Sequence, residues 1–168
     1  VAGHPIAAVQ SEWSIWSRDV ERSVVPAAAE LGVGFVPYSP LGRGFLTGSF
    51  SAEPEWQRGD LRGGWPRFQE PNYSANMALV REYCAIAKEQ GVTPAQLSMA
   101  WAHSKGDHIV TIPGSQNIAH VKENIARWDW RPDNDVIAQI DALINHGTVS
   151  GHRYAGPIKA TIDTEDFD

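Results

Sequence analysis

The chain has 168 residues, of which 42% are hydrophobic and 20% charged, a composition typical of a globular domain large enough for one core. Its 14 Lys and Arg against 20 Asp and Glu give a formal net charge of -6, and the lack of a long basic run argues against a nucleic-acid partner. The single cysteine, Cys84, excludes an internal disulfide and indicates a reducing compartment, the cytoplasm, and no apolar run approaches the ~20 residues of a membrane-spanning helix.

The first half of the chain predicts two short strands separated by a helix. Residues 6–9 form an apolar run typical of a buried strand. Residues 19–31 have a helical pattern, although Pro26 favours a helix that begins at the proline itself. Residues 33–37 predict the second strand. The irregular segment 45–73 is long for a compact domain, which indicates a functional or mobile loop.

The second half predicts a third strand among helices. Thr93 and Gln96 form a capping box that begins a helix, with proline at its first position. Residues 109–112 predict the strand. Apolar spacing predicts further helices at residues 76–90, around Ile118, Val121 and Ile125, and at residues 133–145.

Strands that alternate with helices predict an α/β fold with a parallel sheet. The three predicted strands are apolar throughout, as is typical of strands covered on both faces. A complete (β/α)8 barrel needs about 250 residues. The sequence therefore predicts that this chain forms only part of such a barrel.

Two junctions between a strand and a loop carry the strongest functional signal. Residues 38–48 read Tyr-Ser-Pro-Leu-Gly-Arg-Gly-Phe-Leu-Thr-Gly, and residues 112–117 read Ile-Pro-Gly-Ser-Gln-Asn before a helix. Glycines let the backbone approach a ligand and turn its N–H groups toward an anion. Both junctions follow parallel strands, so we expect them to hold a phosphate-bearing cofactor at one end of the sheet.

These motifs resemble the aldo-keto reductases, and in particular the branch that includes the pyridoxal reductases and the potassium-channel β-subunits. The likeness covers residues 4–154 and implies that residues 1–154 are the C-terminal part of such a barrel, followed by a polar, acidic tail at 155–168. The matching motifs are Val9-Gln10-Ser11-Glu12-Trp13-Ser14, residues 38–48, Pro66-Arg67-Phe68, Thr93-Pro94-Ala95-Gln96-Leu97, Ile112-Pro113-Gly114-Ser115 and Glu123-Asn124.

The resemblance implies a (β/α)8 barrel that reduces aldehydes and ketones with NADPH, with this chain at strands six to eight. It implies that Gln10 hydrogen-bonds the nicotinamide carboxamide and that Tyr38 stacks on the nicotinamide ring. The loop implied to follow the pyrophosphate is Ser39, Pro40, Leu41, Gly42, Arg43 and Gly44. The residues implied to hold the adenosine end are Gly114, Ser115, Gln116, His120, Glu123 and Asn124.

The chain departs from the family pattern in two ways. Many relatives carry a basic residue where Gln116 and Asn117 stand, so both NADPH and NADH remain candidate cofactors. No segment matches the family's catalytic Tyr, Lys, Asp and His, which are therefore expected in an absent N-terminal part. The histidines show no paired metal-ligand pattern, and we assign no metal.

Three hypotheses remain open from the sequence. The chain is the C-terminal part of a reductase that acts on a small carbonyl substrate, a non-catalytic module that binds nucleotide or assembles with a partner, or a half-barrel that pairs with a separate N-terminal half. In each case the isolated chain is expected to expose strand edges and barrel-interior surface. Such surfaces favour self-association.

Overall fold

Two strands and six helices make up the regular structure of the computed structural model, which describes residues 3–51 and 55–162. Short 3₁₀ turns lie between them at Asp19–Glu21, Gly42–Thr47, Leu61–Gly64 and Pro66–Phe68. In chain order the main elements are β1 (Ala8–Glu12), α1 (Val24–Glu30), β2 (Gly34–Tyr38), α2 (Asn72–Glu89), α3 (Pro94–His103), α4 (Ile118–Ile125), α5 (Asn134–Leu143) and α6 (Gly156–Lys159).

The sheet is parallel, as predicted, but its third member is not a regular strand. β1 pairs with β2 in a register that places Gln10 beside Val36. The predicted strand at residues 109–112 forms only two parallel bridges to β2, from Ile109 and from Ile112. Proline follows at position 113 and has no N–H to continue the ladder, which is one reason why the pairing stops there.

The two faces of this sheet differ, because side chains alternate along each strand. Phe35 and Ile109 are buried in the main hydrophobic core. On the opposite face Val110 and Ile112 are 52% and 45% exposed. In the described residues the core therefore packs on one side of the sheet only, and the other side carries exposed apolar surface of the kind expected of an isolated part of a barrel. We call the exposed side, with Gln10, Tyr38, Val110 and Ile112, the open face.

The helices follow the sequence patterns with shifted ends. The predicted helix at residues 19–31 is interrupted: a 3₁₀ turn comes first, and α1 begins at Val24, two residues before Pro26. α2 begins four residues earlier than predicted, at Asn72. α3 begins as predicted, with the Thr93 hydroxyl accepting from the backbone N–H of Gln96 at 3.2 Å and the capping box complete.

The long segment before α2 is held by aromatic side chains. Phe45 and Phe68 are buried with their ring centres 4.6 Å apart, and Trp56 meets Phe68 edge-on at 5.5 Å. The Tyr73 hydroxyl donates to the carbonyl of Ser51 at 2.5 Å. These side chains belong to the main hydrophobic core or pack against it, and so they fix the position of the described part of this loop.

Two features of the C-terminal elements were not predicted from the sequence. α4 forms where predicted, but Ile118, Val121 and Ile125 are 75%, 45% and 61% exposed, so its apolar stripe does not face the core of this chain. The predicted tail contains the one-turn helix α6, while residues 163–168 lie outside the described residues. No helix in the described ranges is both long and apolar enough to cross a membrane.

Candidate functional site

The loop after β2 turns sharply and is hydrogen-bonded to α3. Ser39 and Arg43 have positive φ angles of 55° and 56°, although neither is glycine. Gly44, with φ at 99°, adopts a backbone conformation that residues with a side chain rarely reach. The buried Ser98 hydroxyl on α3 donates to the carbonyl of Pro40 at 2.7 Å, which anchors the start of the loop.

The second junction leads directly into α4. The Asn117 side chain caps the helix by accepting from the backbone N–H of Ala119 at 2.8 Å. The Ser115 hydroxyl accepts from the backbone N–H of Asn117 at 3.2 Å and closes a short turn. A Cβ added to Gly114 would meet no atom within 4 Å, so the backbone is open to an approaching group at this position. The start of α4 is therefore well formed and accessible.

The two junctions meet at two adjoining cavities that share Leu41, Gly44, Thr47 and Gly114. Their volumes are about 640 Å³ and about 810 Å³, within the range of small-molecule sites. We call the first the helix-side cavity; its other lining residues are Ser49, Ala95, Ser115, Gln116, Asn117, His120, Glu123 and Asn124. We call the second the loop-side cavity; its other lining residues are Ser39, Pro40, Arg43, Gln57, Arg58, Gly59, Asp60, Leu61, Arg62, Trp65 and Ile112.

The structure thus brings most of the predicted residues together. Those that line the helix-side cavity are Leu41, Gly44, Gly114, Ser115, Gln116, His120, Glu123 and Asn124. Those that line the loop-side cavity are Ser39, Pro40, Leu41, Arg43, Gly44 and Gly114. Gln10, Tyr38 and Gly42 line neither. Gln10 and Tyr38 instead share the open face of the sheet. Gly42 is buried, and a Cβ there would lie 3.3 Å from Trp16 and Leu46.

The charges in the two cavities are unlike. The loop-side cavity contains three arginines and one carboxylate, Asp60, whose pKa is lowered by its hydrogen bonds with Arg62. Arg62 also donates to the carbonyl of Arg43 at 3.1 Å and so supports the loop after β2. The described lining of the helix-side cavity has the carboxylate of Glu123 but neither lysine nor arginine. An anionic group is therefore favoured on the loop side.

A buried charge cluster adjoins the loop-side cavity. The Glu12 side chain, 5% exposed, accepts from Arg43 Nη2 at 3.0 Å and from the Tyr154 hydroxyl at 2.8 Å. Arg67 donates to the carbonyls of Trp16 and Gly151, and burial lowers its pKa to about 10. These contacts fasten the segment near residue 154 to the end of β1.

Sequence reasoning named no individual residue of the loop between positions 57 and 65 as part of the site. Gln57, Arg58 and Trp65 line the loop-side cavity. The signal that could have found them was the length of the irregular segment, which indicates function but does not say which side chains turn inward. In the described ranges, no three His, Cys, Asp or Glu side chains come together in a way that could hold a metal ion.

Comparison with known proteins gives a consistent result. Residues 2–145 match the model of the aldo/keto reductase family. The chain is 40% identical over 151 residues to probable aldo-keto reductase 1 from Glycine max, covering 90% of this chain but 43% of that protein. It spans less than half of that relative's length.

Solved structures share the fold over a similar portion. A glycerol dehydrogenase from Gluconobacter oxydans, 23% identical, matches 83% of this chain and 42% of its own with a TM-score of 0.76. An aldo-keto reductase from Klebsiella pneumoniae in complex with NADPH, 24% identical, matches 82% of this chain and 39% of its own with a TM-score of 0.57. On the strength of the family match and the Glycine max relative, the chain belongs to the aldo/keto reductase family.

Proposed function

We propose that this chain forms the cofactor-binding side of an NAD(P)H-dependent aldo-keto reductase that reduces aldehydes or ketones to alcohols. In this proposal its parallel segments are strands six to eight of the barrel. The observation that carries the proposal is the meeting of two strand-end loops at adjoining cavities, which contain all the predicted cofactor residues except Gln10, Tyr38 and Gly42. Parallel α/β sheets bind phosphate-bearing ligands at such ends, near a helix N-terminus.

The residues present fit a dinucleotide along this surface. The loop-side cavity, with Arg58 and the open backbone of Gly114, suits the pyrophosphate. Tyr38 and Gln10 share the open face, and we propose them as the ring platform and the amide partner of the nicotinamide. When bound, that ring supplies a hydride to the carbonyl carbon of the substrate. The part proposed for this chain is to bind and orient the ring.

The adenosine end is proposed to lie in the helix-side cavity. Gln116 and His120 line it together with the carboxylate of Glu123, and the described residues of its lining include no lysine or arginine to pair a 2′-phosphate. A carboxylate near the adenosine ribose favours the 2′-hydroxyl of NADH, whereas an arginine there accommodates the 2′-phosphate of NADPH. We therefore propose that NADH binds as well as NADPH.

The groups that protonate the substrate oxygen are proposed to lie outside this chain. A tyrosine and lysine from the remaining barrel units would meet the substrate above the open face. The exposed apolar side chains Val110, Ile112 and Ile118 are surfaces that those units would cover. Binding a cofactor without the proton donor does not lower the reaction barrier, so the chain alone is proposed not to catalyse. A cytoplasmic location also remains a proposal.

Titration of the purified chain with NADPH and NADH tests this function. Nicotinamide fluorescence and thermal shift should both report saturable binding. Tyr38→Ala should raise the Kd roughly tenfold or more, because aromatic stacking on a base is worth ~1–3 kcal/mol. Tyr38→Phe keeps the ring and is the matched control, with a Kd close to that of the wild type.

The outcomes separate the open hypotheses. Binding that Tyr38→Ala weakens and Tyr38→Phe preserves supports a cofactor half-site. A folded chain that binds neither dinucleotide contradicts it. Equal binding by both variants would place the nicotinamide elsewhere and favour a module that holds only the adenosine end.

A further inference from the structure

Arg43 stands in an unusual backbone position within the loop that separates the two cavities. Its φ and ψ are 56° and 32°, and it lies between Gly42 and Gly44, whose φ angles are also positive. A residue with a Cβ persists in this left-handed region only where its surroundings hold it. The loop conformation therefore depends on what the Arg43 side chain contacts.

Those contacts come from three separate parts of the chain. Arg43 Nη2 pairs with the buried carboxylate of Glu12 at 3.0 Å and is also hydrogen-bonded to the Tyr154 hydroxyl. The guanidinium lies 4.5 Å from the centre of the Trp65 ring and 5.1 Å from that of Tyr154. Charge pairing and ring stacking thus hold one planar group from several directions.

Tyr154 links the carboxylate and the guanidinium. Its hydroxyl donates to Glu12 Oε2 at 2.8 Å while it accepts from Arg43. Burial, and then the neighbouring charge of Glu12, raise the pKa of Tyr154, so the phenol stays protonated and keeps donating. The three side chains form a closed triangle, which we call the Arg43 clamp.

We propose that the Arg43 clamp positions the loop at residues 39–44 for the cofactor, so that Arg43 acts through the backbone it holds and not as an ionic ligand of the phosphate. This inference rests on the proposed function. The clamp fixes Leu41 and Gly44, which line both cavities, and the Leu41 carbonyl accepts from the backbone N–H groups of Gly44 and Leu46 at 3.0 Å and 3.1 Å. The loop is then already in its binding conformation before the cofactor arrives.

The clamp and a direct phosphate contact predict opposite effects of removing the Glu12 charge. If Arg43 bound phosphate, Glu12 would compete for its charge, and Glu12→Gln would tighten binding. If Arg43 is a positioning residue, Glu12→Gln loosens the loop and weakens binding. Tyr154→Phe should also weaken binding, because it removes the hydroxyl that bonds both Glu12 and Arg43 and keeps the rest of the triangle.

Two measurements on the 168-residue chain test the inference. The first is amide hydrogen exchange of the nucleotide-free chain, where Glu12→Gln and Tyr154→Phe should speed exchange at Gly44 and Leu46 but not in α2. The second is the NADPH titration, where both variants should raise the Kd about tenfold, since Kd rises as the binding-competent population falls. Glu82→Gln, on the exposed side of α2, removes one negative charge outside the Arg43 clamp and is the charge-matched control for Glu12→Gln.

The outcomes are distinct from those that test the proposed function. Faster exchange together with weaker NADPH binding supports the clamp. Unchanged exchange in both variants, or tighter binding by Glu12→Gln, overturns it. A wild-type chain that binds no dinucleotide contradicts the proposed function, while the exchange data still decide whether Glu12 and Tyr154 hold the loop. Tyr154→Phe keeps the inference testable if Glu12→Gln does not fold.

Discussion

His103 makes the stability of the region beneath the candidate site depend on pH. This residue ends α3, is 6% exposed, and its Nε2 lies 3.0 Å from the Thr111 hydroxyl. Its ring meets Trp128 edge-on at 4.4 Å. Burial, and then the positive charge of Arg131, lower its pKa from 6.5 to about 4. The folded protein therefore holds this imidazole neutral under conditions where an unfolded chain would protonate it.

The sign and size of the effect follow from linkage. The pKa of His103 is lower in the folded state than in the unfolded state, so the unfolded state binds the extra proton. The contribution of His103 to the free energy of unfolding is therefore complete above about pH 6.5 and is lost as the pH falls toward 4. With the two pKa values 6.5 and about 4, the loss at pH 5 amounts to about 2 kcal/mol at most. In a chain of this size that lowers Tm by roughly 4–8 °C.

The assay is thermal or urea unfolding of the wild type and of His103→Gln between pH 7 and pH 5. Glutamine can keep a hydrogen bond to Thr111 but does not titrate. We expect the wild type to lose about 2 kcal/mol more than His103→Gln over this interval, once the shared titration of other groups cancels. Parallel losses in the two proteins would refute the reasoning, because His103 would then not be held neutral by the fold.

Three further predictions concern the loop and the exposed surfaces. Gly44→Ala should destabilise the chain by about 1–3 kcal/mol, because φ is 99° there and the new Cβ would lie 3.2 Å from a ring atom of Phe50, whereas Gly64→Ala, in open space, should be tolerated in the same urea titration. Ser98→Ala should cost about 1–3 kcal/mol and weaken NADPH binding, because it leaves a buried carbonyl of the loop after β2 without its donor. We expect the wild-type chain to self-associate in sedimentation velocity and Ile118→Lys to reduce this association, because that side chain is 75% exposed on the apolar stripe of α4; a monomeric wild type would contradict the prediction, and an unchanged oligomer in the variant would move the contact elsewhere.

Most of the fold was predictable because its signals are local. The two apolar runs became β1 and β2 with ends shifted by at most three residues, and the capping box at Thr93 fixed the start of α3. The third strand was overestimated, because an apolar run does not reveal how many ladder hydrogen bonds it makes, and residues 109–112 form only two isolated bridges to β2. Exposed barrel-interior surface was expected of a part of a barrel, but not which residues carry it, because strands that line a barrel interior and strands covered by helices have the same apolar composition.

The candidate site was predictable where glycine and proline mark the backbone. Gly44 and Gly114 stand where the chain turns toward both cavities, as their positions in the sequence indicated. The Arg43 clamp was not predictable, because Glu12 and Tyr154 are far apart in sequence and meet only through tertiary packing. An arginine in a glycine-rich loop suggests a phosphate ligand. Only the structure shows that the Glu12 carboxylate already pairs with Arg43.

The central claim is that the loop after β2 and the start of α4 bind one cofactor together. Hydrogen exchange of the chain with and without NADPH tests it directly. We expect protection at residues 39–48 and at residues 113–124, with the same half-saturating concentration in both segments. Protection of only one segment, or protection centred on α1 or α5 instead, would contradict the claim.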